Sequence, residues 1–130
     1  MEQARIVLNT RWLDASNTII DISGEVTSAA ESQLSEVYTR VTSEGAKRII
    51  FNFTELDYMN SSGIGFLVTL LIRAQRQGQQ LMAFGLNKHY NHIFELTRLN
   101  EAIEICPNEL DILDVIKNHE AGQVVKKPSA

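Results

Sequence analysis

Two adjacent hydroxyls followed by two glycines, Ser61-Ser62-Gly63-Ile64-Gly65, are the residues of this chain best placed to do chemistry. They follow a strand-like run, Lys47-Arg48-Ile49-Ile50-Phe51-Asn52-Phe53. After them, Ile64, Leu67, Val68, Leu71, Ile72 and Gln75 recur at helical spacing. A hydroxyl at the first turn of a helix can accept from the free backbone N–H groups there. The same place favours added negative charge, such as a phosphate, because the helix dipole is positive at that end. On the residues alone, capping by Ser61 or Ser62 is the ordinary role and phosphate acceptance the alternative.

The remaining reactive residues suggest less. Gly63-Ile64-Gly65 lacks the spacing of a P-loop, and Val68 stands where a dinucleotide fingerprint needs its third glycine. His89 and His92 could form a metal pair on one helical face. No Cys or third His lies nearby, so surface histidines and no metal are expected. Cys106, between Ile105 and Pro107, reads as a buried structural thiol. As the single cysteine it cannot form an intrachain disulfide, which fits a reducing compartment. Asp57 and Asn60 flank the serines, but no histidine is placed as their base and the nucleophile elbow G-x-S-x-G is absent. Paired carboxylates with an acid/base division are also not visible. Neither an enzyme nor a cofactor is expected.

The elements that must position the serines can be read in order. Ile6–Leu13 and Thr18–Gly24 are strands joined by the turn cluster Asp14-Ala15-Ser16-Asn17, an antiparallel hairpin. Ala30, Leu34, Val37, Tyr38 and Val41 predict a helix over 29–41. Thr27 or Ser28 would cap it, Glu31 would complete a capping box with Ser28, and Gly45 would close the segment. A strand over Arg48–Phe53 follows, then the helix after Ser61, ending near Gln77-Gly78. Gln80–Gly85 predicts a buried strand, and Asn87–Leu96 a helix with Tyr90, Ile93, Phe94 and Thr97 inside. A short strand over 102–105 leads to a last helix over Glu109–His119, capped by Asn108, with Leu110, Leu113, Val115 and Ile116 on its apolar face. The order β-β-α-β-α-β-α-β-α implies an α/β fold: a mixed, mostly parallel sheet of about five strands with an opening hairpin and four helices. The domain would span 1–121, with a loose tail over 122–130. Ser61 would lie at the carboxyl end of a strand, where open α/β sheets usually place their function.

Composition removes several function classes. The 130 residues, 44% hydrophobic and 22% charged, suit one globular domain. A net charge of −4 with scattered Lys and Arg, the tail pair Lys126-Lys127 included, argues against nucleic acid as a partner. The most apolar stretch, Ile64 to Ile72, is about half the ~20 residues needed to span a bilayer, so no membrane insertion is expected. The start of the chain carries no signal-peptide pattern, and a cytoplasmic location is expected.

Several ordered stretches resemble the STAS domain family, the anti-sigma factor antagonists of bacteria. Met59-Asn60-Ser61-Ser62-Gly63-Ile64-Gly65 resembles its D-S-[ST]-G-[LIV]-G signature. Ile22-Ser23-Gly24-Glu25-Val26 resembles the strand that ends in G-E before the first helix. Gly78-Gln79-Gln80-Leu81 is similar to G-G-x-[LM], and Phe94-Glu95-Leu96-Thr97-Arg98-Leu99 to F-x-[LM]-[TS]-x-[LIV]. The resemblance implies a partner switch: the unphosphorylated domain binds an anti-sigma factor or serine protein kinase and so frees a sigma factor. Phosphorylation of the first motif serine, here Ser61 rather than Ser62, ends the complex, and a serine phosphatase restores it. The docking surface would comprise Thr27, Asn60, Ser61, Ser62, Gly63 and Ile64 with Arg73 and Arg76 further along the helix. Two positions depart from the pattern, Asn60 and Thr27 standing where the family has acidic residues. They leave open a second reading, an unphosphorylated STAS scaffold or interaction module in a regulatory assembly or transport system.

Overall fold

A computed structural model describes residues 4–124. The chain opens with a hairpin in which β1 (Ile6–Trp12) pairs antiparallel with β2 (Asn17–Val26). Asp14 shapes the turn by accepting from the amides of Ser16 and Asn17, both at 2.8 Å. Strands and helices then alternate: α1 (Glu31–Ser43), β3 (Arg48–Met59), α2 (Ser61–Arg76), β4 (Gln80–Phe84), α3 (Lys88–Leu96), β5 (Glu104–Cys106) and α4 (Glu109–Val124). The sheet runs in the order β1-β2-β3-β4-β5, its first pair antiparallel and the others parallel, as the element pattern predicts.

The sequential strand order dictates where the helices go. Each parallel step moves the same way across the sheet, and crossovers of one hand then place every connecting helix on one face. Ile20, Ile22 and Val26 of β2 and Ile49, Phe51 and Phe53 of β3 accordingly share a core with Leu34, Tyr38, Leu67, Leu70 and Phe94 of the three connecting helices. The intervening residues Ile19, Ile50, Met82 and Phe84 face the other way and pack with Ile112 and Ile116 of α4. Because the order never reverses, the sheet has no switch-point crevice. Ser61 does lie at the carboxyl end of a strand, but on a projecting one. Pairing of β3 with β4 stops at Asn52↔Phe84, while β3 continues beside β2 to the pair Val26↔Met59. Two register shifts fall in that projection. They interrupt the alternation of Thr54-Glu55-Leu56-Asp57-Tyr58, which is why the apolar pattern predicts a strand ending at Phe53.

Other element details differ from the sequence expectation. A 3-10 turn, Ser28–Ala30, precedes α1, and Thr27 Oγ1 accepts from the Ala29 amide at 3.3 Å. The Ala30 amide already donates to the Thr27 carbonyl at 3.0 Å, so α1 starts at Glu31 without a side-chain cap and the Ser28–Glu31 box does not form. Thr97 is the C-cap of α3 and exposed, its hydroxyl donating back to the Ile93 carbonyl at 2.8 Å. The short fifth strand is Glu104–Cys106. In α4 the buried pair is Ile112 and Ile116, whereas Leu110 is 73% exposed. Two residues correspond to about 200° around a helix, so Leu110 and Ile112 cannot face the sheet together. Asn108 does cap α4, accepting from the Asp111 amide at 3.0 Å. That helix continues to Val124, through the first residues of the expected tail. Residues 125–130 of that tail lie outside the described residues.

Candidate functional site

The turn between β3 and α2 is built by Asn60. Its backbone is extended, with φ −100° and ψ −178°, and its amide donates to the Val26 carbonyl at 3.3 Å, the last bond of the ladder. Its side-chain carbonyl accepts from the Gly63 amide at 3.0 Å, and its backbone carbonyl from the Ile64 amide at 3.0 Å. Asn60 is therefore the N-cap, and the expectation that Ser61 or Ser62 caps the helix is corrected. The geometry explains it: the cap must precede the first helical residue to reach the third helical amide. Ser61 and Ser62 are the first two helical residues, too late to fold back.

Both serines are left exposed. The first turn of α2 holds no acidic residue, and among the described residues nothing takes the amides of Ser61 and Ser62. The positive end of the dipole is uncompensated there, a setting that suits an anionic group on either hydroxyl.

Gly63 lets the helix start so close to the sheet. A β-carbon on it would run into the carbonyl oxygen of Val26, while one on Gly65 would meet open space. Only the first of the two glycines is sterically required. Because Val26 pairs with Met59, the same approach sets Thr27 beside Asn60. Thr27, Asn60, Ser61, Ser62, Gly63 and Ile64 thus form one cluster at the ends of β2 and β3.

The two arginines expected further along the helix lie in different settings. Arg73 donates to Ser35 Oγ at 3.2 Å and Thr39 Oγ1 at 3.3 Å, and its guanidinium lies 4.7 Å from the centre of the Tyr38 ring. It pins α2 to α1. Arg76 is exposed but fifteen residues past Ser61, about 22 Å along the helix axis.

The orientation of α2 also departs from expectation. Gly63, Leu67, Leu70, Leu71 and Ala74 are buried, while Val68 and Ile72 of the predicted inner stripe are 37% and 45% exposed. The stretch from Ile64 to Ile72 is apolar on more than one face, so periodicity could not choose the buried one. On the outer side, Ser61, Gly65, Val68 and Ile72 follow at steps of four, three and four and fall in one line. Tyr58, 48% exposed at the end of β3, adds another apolar residue near the head of that helix. Helical spacing alone assigns Val68 and Ile72 to the core, and nothing local singles out Tyr58. The one signal for an outer apolar line is the excess of apolar residues in the helix.

Among the described residues, the other reactive side chains assemble no second centre. His89 is exposed with its ring 4.8 Å from that of Tyr90, and His92 lies 3.8 Å from Glu95. Among the described residues no group of three or more His, Cys, Asp or Glu side chains is placed to hold a metal. Burial pushes the Cys106 thiol up, with Glu104 and Asp111 adding to the effect, so its thiolate is disfavoured. No helix among the described residues is long and apolar enough to cross a membrane.

Comparison with known proteins bears on the family and the fold. The sequence profile of the STAS domain matches residues 12–112. An anti-sigma-B factor antagonist of Staphylococcus aureus is 26% identical over 86 residues, 66% of this chain and 80% of that protein. One from Listeria monocytogenes is 26% identical over 100 residues, 77% of this chain and 88% of that protein. The structure of the anti-sigma factor antagonist SpoIIAA in its unphosphorylated form matches with a TM-score of 0.69 at 16% identity, over 85% of this chain and 98% of the other. The phosphorylated form of SpoIIAA from Bacillus matches at 0.67 and 18%, over 85% and 99%. At these identities the structural likenesses speak to the fold alone. The profile covers more than half of the chain and the fold agrees with it: the chain belongs to the STAS domain family.

Proposed function

We propose that this protein is an anti-sigma factor antagonist that works by partner switching, a binding protein rather than an enzyme, acting in the cytoplasm. Unphosphorylated, it docks the outer line of α2 and the Ser61 turn onto an anti-sigma factor that is also a serine kinase. Phosphorylation of Ser61 ends the complex, and a serine phosphatase restores it. The names of the Staphylococcus and Listeria relatives support the class of partner.

The observation that carries the reading is the line Ser61–Gly65–Val68–Ile72. It places a free hydroxyl at the head of an exposed apolar strip, on a helix end that favours negative charge. A phosphate there adds about −1.5 to −2 charges where a partner must pack against Val68 and Ile72, which disfavours that contact. Ser62 is one residue round the helix, in line with Phe66, Thr69 and the α1-bound Arg73, so modification there would face the flank.

A second reading keeps the fold and removes the switch: a STAS scaffold whose Ser61 is never modified. Asn60 and Thr27 favour it, since both are committed to capping and neither supplies the charge of the acidic residue in the family pattern. Peptide mass spectrometry of the protein from its own cells separates the two. A phosphate on Ser61 under some growth or stress condition is the expected result. Unmodified Ser61 throughout would leave the scaffold reading.

A further inference from the structure

The last residues of β3 have β2 on one side and no strand on the other, because pairing with β4 stops at Asn52↔Phe84. The Asn60 amide serves the β2 side through the Val26 carbonyl. The Met59 amide, one residue earlier, points the opposite way, toward where β4 would stand if it continued. Met59 is only 3% exposed, so water cannot satisfy that donor. Tyr90 of α3 supplies the acceptor instead: the Met59 N–H donates to its hydroxyl at 2.9 Å. Tyr90 is itself held, its amide donating to Asn87 Oδ1 at 2.9 Å. Asn91 ties the same turn down, its side-chain amide donating to the Leu86 carbonyl at 3.2 Å.

We infer that Tyr90 is a positioning residue for the Ser61 turn: its hydroxyl fixes Met59, thereby sets the Asn60 cap and the bearing of Ser61, and couples α3 to the site. Its functional meaning rests on the reading of Ser61 as the modified hydroxyl. The coupling itself is measurable without any partner. Between Met59 and Ser61 there is one residue, and its two backbone bonds and its side-chain bond all depend on where Met59 sits. Phenylalanine at position 90 would keep the ring in the core and leave the Met59 amide buried without a partner. The turn would then open locally while the sheet behind it stays closed.

The test is residue-resolved amide hydrogen exchange by NMR on the whole chain, wild type and Tyr90→Phe, each with and without Ser61→Asp. In the wild type, Met59 should exchange within about tenfold of Phe51 in the core of the same strand. Tyr90→Phe should speed Met59 and Asn60 by about tenfold or more while Ile49 and Phe51 stay within about twofold. Ser61→Asp should move the amide resonances of Tyr90 and Asn91 in the wild-type background and not in Tyr90→Phe. Equal acceleration through the whole sheet would make Tyr90 a core residue and nothing more. Shifts at Asn91 that persist in Tyr90→Phe would put the coupling elsewhere. Should Tyr90→Phe fail to fold, the wild-type Met59 rate and the Ser61→Asp shifts still decide, and fast exchange at Met59 overturns the inference. Absence of phosphate on Ser61 in cells would sink the switch and leave these exchange results standing, so the two failures are distinguishable.

Discussion

The side-chain carbonyl of Asn60 accepts the amide of Gly63 at 3.0 Å, which frees the hydroxyl of Ser61 from the duty its position in sequence suggests. A neutral residue thus performs the structural part of what an acidic one does at a helix start. Asn60→Ala should cost about 1 kcal/mol in chemical denaturation. Asn60→Asp should keep the cap and add about 0.3–1 kcal/mol near pH 7 at low salt. Its folded-state pKa would be depressed by the Gly63 amide it accepts from. The gain is therefore full above the unfolded value, about 3.9, and disappears as pH falls through the folded value. An unchanged Asn60→Ala melt would show that the cap contributes nothing.

The two glycines of the turn should behave oppositely. Gly63→Ala drives a β-carbon into the Val26 carbonyl and should destabilise by about 1–3 kcal/mol, as overpacking does. Gly65→Ala meets nothing and should stabilise by about 0.5–1 kcal/mol, the ordinary gain in a helix interior. Paired urea melts check both, and equal effects would contradict the described approach of α2 to β2.

On the face opposite α1, Arg11 bridges Asp21 at 2.7 Å and Glu109 at 3.0 Å, joining β1, β2 and α4. Arg11 is the main cause that holds the Asp21 carboxyl below its usual range, with Asn52 and Asn9 helping against the opposing effect of burial. A depressed folded pKa stabilises above the unfolded value and loses that contribution as pH falls through the folded one. Stability should therefore decline as pH drops below about 4, and Asp21→Asn should flatten part of that slope. At pH 7 the same substitution should cost about 1–2 kcal/mol. Asp14, lowered chiefly by Asn17, should account for some of the remaining slope. A variant as acid-sensitive as the wild type would dissociate Asp21 from the effect.

Substitutions along α2 should divide by face. Ile72→Glu, at a half-exposed position, should weaken a partner complex about tenfold or more while changing stability by no more than about 0.5 kcal/mol. Arg73→Ala should do the reverse, losing about 1 kcal/mol of stability with affinity little changed, because its contacts are to α1. Calorimetric titration against the partner, once captured, with thermal melts alongside, reads both. Loss of affinity in Arg73→Ala at full stability would return that arginine to the docking surface.

Much of the fold is legible in the amino-acid order alone. The run Ile49-Ile50-Phe51 marks a strand buried on both faces, and turn chemistry places the hairpin at Asp14. What stays hidden shares one cause, that several local solutions are equivalent. Asn60, Ser61 and Ser62 are all good caps in a row, and only the approach of Gly63 to Val26 selects the first. The apolar run in α2 fits more than one buried face, and packing against Leu34 and Tyr38 chooses. The Tyr90–Met59 bond joins residues 31 apart through the end of a neighbouring strand, which no local pattern encodes. Arg73 looks like a free surface cation until the ring of Tyr38 lies under it.

The two register shifts in the projecting part of β3 act as slack in the strand. Between Asp21↔Asn52 and Val26↔Met59, β2 advances five residues and β3 seven, one extra residue being taken up at each shift. After the first shift Leu56 pairs with Gly24 and packs against the core, and after the second Met59 pairs with Val26 and joins it. Each shift thus returns the side chains that follow to the core face on its own. Deleting one residue from 53–58 should therefore remove one shift and keep Met59 over the core, at a cost that a urea melt reads. Length in this segment is adjustable one residue at a time.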